Sequence, residues 1–115
     1  MAFDQFTAKR IELLTSQYIE TRRPPHEIRD DIDLAFRIED RSVLIFEIRS
    51  LWTDPSNKIE QMVARATFVA SKKIWKIYWM RADLKWHSYE PLPEVKRFEE
   101  FIDAVEEDRF CCFWG

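Results

Sequence analysis

Apolar side chains recur every three or four positions near the start of the chain, and this spacing predicts an α-helix over about residues 4–22. The side chains on its apolar face are Phe3, Phe6, Ile11, Leu14 and Tyr18. Most charged residues of the segment lie away from this face. Pro24 and Pro25 end the helix, because a proline disfavours helical backbone at the residue before it.

The middle of the chain changes to an alternation of apolar and polar residues, which is typical of antiparallel strands with one buried face. Residues 31–38 show this pattern, with Ile32, Leu34, Phe36 and Ile38 at every second position. Further strands are predicted over about residues 43–49, 62–70, 74–80 and 84–90. A short turn around Asp40 joins the first two strands, and residues 50–57 are predicted to form a loop.

The pairing of the strands over residues 62–70 and 74–80 can also be predicted. If Ala70 pairs with Lys73, small side chains face large ones across the two strands, and such pairs pack well. The resulting cross-strand pairs are Phe68 with Trp75, Ala66 with Ile77 and Ala64 with Trp79.

A second amphipathic segment follows the strands and predicts a helix that begins at Pro93. Its apolar face is formed by Val95, Phe98, Phe101 (or Ile102) and Val105. The element order of helix, about five strands and helix predicts an α+β fold. We expect a five-stranded antiparallel meander sheet, flanked by the N-terminal and the C-terminal helix, in one domain over residues 1–115.

Composition narrows the classes of function. The 115 residues include nine Phe, five Trp and three Tyr but one glycine, Gly115, which disfavours the glycine-rich loops that bind phosphates. The net charge of −3 argues against a basic nucleic-acid footprint over the whole domain, although it leaves room for a local basic patch.

No apolar run approaches the roughly 18 residues of a membrane span, and the adjacent Cys111 and Cys112 suggest free thiols in a reducing cytoplasm. We therefore expect a cytoplasmic protein without membrane association.

Several short motifs rich in aromatic and basic residues are distributed along the chain. They are Arg23-Pro24-Pro25, Phe46-Glu47-x-Arg49-x-x-Trp52, Ala64-x-x-x-Phe68, Trp75-x-x-Tyr78-Trp79-x-Arg81, Trp86-His87-x-Tyr89 and Cys112-Phe113-Trp114-Gly115. Together these motifs resemble the bacterial domain-of-unknown-function family 3024. The chain departs from the family pattern at Ser50, where a proline is expected, and at Asp40-Arg41, where a glycine is expected. The resemblance implies a small bacterial cytoplasmic protein, and it implies no activity.

Asp33 and Glu47-Ile48-Arg49 offer a catalytic hypothesis, a metal-dependent nuclease-like enzyme. Such sites hold Mg²⁺ through carboxylates on neighbouring strands and use a lysine to help activate water. Arg49 stands in the place of the lysine, and a guanidinium cannot act as a general base. The turn length decides the geometry. A two-residue turn at Asp40-Arg41 puts Asp33 and Glu47 on opposite faces, whereas a three-residue loop puts them on one face and gives the cleaner amphipathic hairpin.

Arginine and tryptophan residues suggest a binding surface, since both are frequent at protein interfaces and both bind single-stranded nucleic acid. The candidate binding residues are Glu47, Arg49, Trp52, Arg81, Trp86 and His87. The competing interpretation is that the tryptophans, above all Trp75 and Trp79, belong to the core. The leading hypothesis is a non-enzymatic interaction module that binds a protein partner or nucleic acid through this surface, with no catalytic residues.

The remaining polar and sulfur-containing residues indicate neither a metal nor a cofactor. His26 and His87 lie far apart in sequence, and Cys111-Cys112 lacks the spacing of a zinc site or of a redox pair. We expect the two cysteines to be buried as small apolar residues. Phe113 and Trp114 should dock into the fold or into a partner subunit, because exposing them is costly. A structural homodimer sealed by this aromatic C-terminus is therefore a third hypothesis.

Overall fold

A computed structural model describes residues 3–114, while Met1, Ala2 and Gly115, the last letter of the predicted C-terminal motif, lie outside the described residues. The elements are α1 (Gln5–Arg22), a 3₁₀ turn (His26–Ile28), β1 (Ile32–Glu39), β2 (Ser42–Leu51), β3 (Asp54–Val69), β4 (Ile74–Met80), β5 (Trp86–Ser88), β6 (Glu94–Val95) and α2 (Phe98–Glu107). All strand pairs are antiparallel, in the order β1-β2-β3-β4-β5, and β6 also pairs with β4. The predicted α+β class is confirmed.

Helix α1 begins at a cap that the sequence encodes. The carboxylate of Asp4 accepts hydrogen bonds from the amide and the hydroxyl of Thr7, at 2.9 and 2.8 Å. The predicted apolar face is correct at Ile11 and Tyr18 but wrong at Phe6, which is 83% exposed. Phe6 lies five residues before Ile11, and five residues of an α-helix turn the side chain by about 140° away from the buried face.

A two-residue turn, Asp40-Arg41, joins β1 and β2, since Glu39 pairs directly with Ser42. The three-residue loop that gave the cleaner hairpin pattern is therefore wrong. Asp40 takes a positive φ of 51°, which Asp tolerates better than most residues, so the turn forms without glycine.

The hairpin of β2 and β3 is longer than the sequence pattern predicts. Residues 50–57 were expected to form a loop, but only Trp52 and Thr53 separate the two strands, because Leu51 already pairs with Asp54. Residues 54–61 are all exposed, so this end of the hairpin has no buried face and no alternating pattern. We call residues 47–61 the ribbon.

The core lies between one face of the sheet and the two helices. The predicted pairs of Ala64 with Trp79, Ala66 with Ile77 and Phe68 with Trp75 are all present. A register shift between Ile45 and Phe46 marks a bulge opposite Val63, which explains why Val63 and Ala64 are both buried although they are adjacent.

Helix α2 packs on the same core as α1 through its buried residues Phe98, Phe101 and Val105. The prediction that this helix begins at Pro93 is wrong. The carbonyl of Pro93 accepts a hydrogen bond of 3.0 Å from the amide of Ile77, which draws the segment into the sheet as β6. Neither helix of residues 3–114 is long and apolar enough to cross a membrane.

Candidate functional site

The six candidate binding residues are distributed over three regions of the molecule. Glu47 and Arg49 lie on the ribbon, and Trp52 lies at its tip. Arg81 begins the turn between β4 and β5, and the adjacent residues Trp86 and His87 point to opposite faces of β5 because side chains alternate along a strand. The structure therefore places the first three on one hairpin. Arg81 lines one cleft with Ile59 of the ribbon, whereas Trp86 lines a separate cleft.

Trp52 is the most exposed large apolar side chain among residues 3–114, at 92%. It occupies the two-residue turn of a hairpin end that projects from the core, so its indole meets solvent on nearly all sides. Burying a large apolar side chain against a partner contributes about 1.5–3 kcal/mol. Tryptophan is frequent among the residues that contribute most to binding at protein interfaces.

The charges of the ribbon largely neutralise one another. The Arg49 guanidinium donates to one carboxylate oxygen of Glu47 at 3.1 and 3.2 Å. Glu60 accepts two hydrogen bonds from Arg37, at 3.0 and 3.1 Å. Lys58 and Asp54 are the other charged residues of this segment, which gives two basic and three acidic side chains. The ribbon therefore lacks the basic stripe that phosphate backbones require.

Asp33 and Glu47 do not converge. Asp33 pairs with Ile48, and Glu47 pairs with Leu34, so their side chains point to opposite faces of the hairpin although both residues line one cleft of about 270 Å³. Arg23 holds Asp33 through two hydrogen bonds of 2.9 and 2.7 Å, as Arg49 holds Glu47. Within residues 3–114, no three His, Cys, Asp or Glu side chains are grouped as metal ligands. The geometry that the nuclease hypothesis needs is absent from this part of the chain.

The ion pair of Asp33 with Arg23 predicts a pH dependence of stability. Hydrogen bonding to Arg23, with a further bond from the Leu34 amide, lowers the pKa of Asp33. A lowered pKa stabilises the folded state above the unfolded-state pKa of about 3.9, and this stabilisation is lost as the pH falls through the folded-state value. Thermal unfolding from neutral to acidic pH should show Asp33→Asn less stable than the wild type at pH 7, with a difference that shrinks below about pH 4. The exposed Asp31→Asn is the control, and an equal response of both variants would contradict the prediction.

An apolar groove adjoins the ribbon, and the sequence pattern does not predict it. It has a volume of about 650 Å³ and includes Ile59, Met62, Met80, Leu84 and Phe113 in its lining. Ile59 is 45% exposed, and Leu84 is 81% exposed at a positive φ of 61°. Both are apolar residues whose immediate neighbours in the sequence are polar. This contrast is the sequence feature from which the groove could have been predicted.

The turn between β4 and β5 holds Arg81 and His87 through local contacts. The Arg81 guanidinium lies 5.4 Å from the centre of the Trp79 ring, and His87 Nε2 lies 2.8 Å from an oxygen of Asp83. The hydrogen bond from His87 is the main cause of the lowered pKa of Asp83. Trp86 is partly buried and lines a separate cleft of about 360 Å³ on the sheet face that the helices leave uncovered.

The aromatic C-terminus docks into the fold. Asp108 accepts hydrogen bonds from the amides of Phe113 and Trp114, at 3.0 and 2.9 Å. The Phe113 ring lies 4.8 Å from that of Tyr89, and the Arg22 guanidinium lies 4.0 Å above the Trp114 ring. This is one of the two arrangements expected from the sequence.

The two cysteines that precede this tail are both free. Cys111 is exposed, so the expectation that it is buried is wrong, whereas Cys112 is half-buried. Cys111 takes a positive φ of 57°, in the turn that leads back to the docked tail.

These features define a small α+β protein in which two helices cover one face of an antiparallel sheet and a long hairpin extends beyond the core. The chain belongs to the family described as domain of unknown function DUF3024, which matches residues 3–115. The resemblance seen in the sequence motifs is thereby confirmed. No curated protein and no solved structure matches the chain.

Proposed function

We propose that this protein is a non-enzymatic interaction module that binds a protein partner through the ribbon and the apolar groove beside it. The observation that supports this most directly is the 92% exposure of Trp52 at the tip of the ribbon. The two-residue turn places the backbone of Trp52 at the tip, so its indole can enter a partner's pocket without rearrangement of the main chain.

A protein suits this surface better than nucleic acid does. The ribbon carries more acidic than basic side chains, and Arg49 and Arg37 are already paired with Glu47 and Glu60. The groove adds apolar area at Ile59 and Leu84, and contiguous apolar area marks protein interfaces. Arg81 lies at the edge of this groove, whereas Trp86 lies outside the proposed surface.

Capture from a cell extract tests the role of Trp52. The tagged wild-type protein is expected to retain a protein partner, and Trp52→Ala is expected to reduce the retained amount at least tenfold, as is usual for a central interface aromatic. Phe6→Ala is the matched control, because Phe6 is 83% exposed but lies on α1, away from the ribbon.

The same experiment discriminates between the candidate ligands. Equal losses for Trp52→Ala and Phe6→Ala would contradict the proposal, because they would show that any exposed aromatic has the same effect. Capture that nuclease treatment abolishes would assign the surface to nucleic acid instead.

A further inference from the structure

Within the ribbon, one edge of β3 has no neighbouring strand among residues 3–114. Strand β4 pairs with β3 between Ala64 and Val69 and ends at Met80, next to the groove. Residues 58–62 of β3 pair with β2 on one side and with no described strand on the other, while a register shift leaves residues 55–57 outside the regular pairing with β2. Unpaired strand edges are templates for pairing with another chain.

The direction of the backbone groups along this edge follows from one hydrogen bond. The amide of Ser50 donates to the carbonyl of Asp31, on the β1 side of β2. Because backbone groups point alternately to the two sides of a strand, the amide of Arg49 points to β3, where its partner is Ile59. Ile59 therefore uses its amide and its carbonyl within the hairpin.

By the same alternation, the neighbours of Ile59 direct their backbone groups outward. Lys58, Glu60 and Met62 each present an amide and a carbonyl to the open edge. An incoming antiparallel strand would bond to these three residues. The residues of that strand whose backbone groups face the open edge would then lie directly opposite these residues of β3.

We propose that the open edge of β3 pairs antiparallel with the same edge of a second copy of this chain, with Ile59 facing itself on the two-fold axis. This inference rests on the ribbon being a protein-binding surface, as proposed above, and it names the partner. Two sheets would then join into one continuous sheet across a closed two-fold interface.

Charge selects the register. Residues whose backbone groups face the open edge must lie opposite residues of the same kind in the second copy. A two-fold axis on this edge must therefore pass through a residue, and the choices considered are Lys58, Ile59 and Glu60. The first choice sets Lys58 against Lys58 of the second copy, and the third sets Glu60 against Glu60 of the second copy. Like charges directly opposite each other are destabilising. With Ile59 on the axis, Lys58 of each copy faces Glu60 of the other copy, which gives two pairs of opposite charge.

Contacts already present in one chain favour this register. Two hydrogen bonds from Arg37 fix the carboxylate of Glu60 in place, so it is ordered before the lysine of a second copy arrives. Ile59 is 45% exposed and lines the groove, on the strand face opposite to Lys58 and Glu60. The two Ile59 side chains would therefore cover each other beside the groove. This self-complementarity favours a second copy over an unrelated strand.

The experiment measures mass by sedimentation equilibrium over a wide range of protein concentrations. The wild type is expected to approach twice the 14.0 kDa of one chain. Lys58→Glu and Glu60→Lys are each expected to raise the Kd of the dimer about tenfold, because each creates two like-charge pairs. An equimolar mixture of the two variants should restore the wild-type Kd as a heterodimer, since both charge pairs are again complementary.

Controls make each outcome decisive. The exposed Lys72→Glu, in the turn between β3 and β4, should leave the Kd unchanged, and circular dichroism establishes that every variant folds. A wild-type chain that stays monomeric would overturn the inference, as would a dimer that neither charge reversal weakens or that mixing does not restore. A monomer that still captures another protein through Trp52 would overturn this inference alone. A dimer in which Trp52→Ala leaves capture unchanged would contradict only the role proposed for Trp52.

Discussion

Replacing Phe101 by alanine is expected to lower the free energy of unfolding by about 3–5 kcal/mol, the usual cost of truncating a fully buried phenylalanine. Phe101 is 0% exposed, and its ring lies 5.6 Å from that of Phe98. Both side chains come from α2 and belong to the cluster that joins this helix to α1 and to the sheet. The substitution removes apolar contacts and leaves a cavity that close-packed neighbours fill only in part.

Urea denaturation followed by circular dichroism measures this loss. Phe6→Ala is the control, because Phe6 is exposed and a surface truncation changes stability by no more than about 0.5 kcal/mol. A loss below about 1 kcal/mol for Phe101→Ala would contradict the packing of α2 against the sheet.

Replacing Phe113 by alanine is expected to lower the free energy of unfolding by about 3 kcal/mol. Phe113 is 7% exposed, packs on Tyr89 and has its amide bound by Asp108. Phe110, three residues earlier, is 58% exposed, so Phe110→Ala should be nearly neutral. Thermal and urea unfolding of the two variants provide the comparison.

Two variants discriminate between two forms of self-association. If the aromatic C-terminus seals a homodimer, Phe113→Ala should shift the mass in solution to that of a monomer and Lys58→Glu should leave the mass unchanged. If the open edge of β3 forms the dimer, Lys58→Glu should weaken it and Phe110→Ala should keep the mass of the wild type. Equal destabilisation by Phe110→Ala and Phe113→Ala would contradict the docking of the tail.

Much of the fold could be predicted because it depends on local patterns. The spacing of apolar residues predicts the first helix, and the two prolines after Arg23 end it by their own stereochemistry. The pairing of β3 with β4 follows from alternating small and large residues that face one core. In both cases the residues concerned are close in sequence, so the local pattern of residue types is enough to predict the structure.

The β3 side of the ribbon could not be predicted because residues 54–61 bury nothing in one chain. Alternation appears in a sequence when one face of a strand is covered and the other is wet, and residues 54–61 are exposed on both faces. Backbone pairing with β2 at Asp54 and at residues 58–61 maintains their strand structure, and this pairing does not require a buried side chain. The groove was missed for a related reason, since Met62 and Leu84 meet only after distant segments fold together.

For the candidate site, too, the sequence predicts some features and the tertiary structure decides others. The sequence identified Trp52 and Arg49 by residue type, but whether a tryptophan is core or surface depends on what folds over it. Trp75 is 5% exposed, whereas Trp52 is 92% exposed. The relation of Asp33 to Glu47 depended on one residue of turn length, because a shift of one position moves every side chain to the other face of a strand.

The sequence by itself determined the α+β class, the first helix, the pairing of β3 with β4 and membership of the family, because each rests on local periodicity or on the order of short motifs. The tertiary structure decided the two-residue turn at Asp40, the length of the ribbon, the docking of Phe113 and the exposure of Trp52. The docking of Phe113 and the exposure of Trp52 depend on which distant segments fold over them, and those contacts form only when the chain has closed on itself. The turn and the ribbon are local hairpins, but the pattern of apolar residues left their register and length open. The open edge of β3 belongs to this second group, since an edge exists only where the neighbouring strand ends.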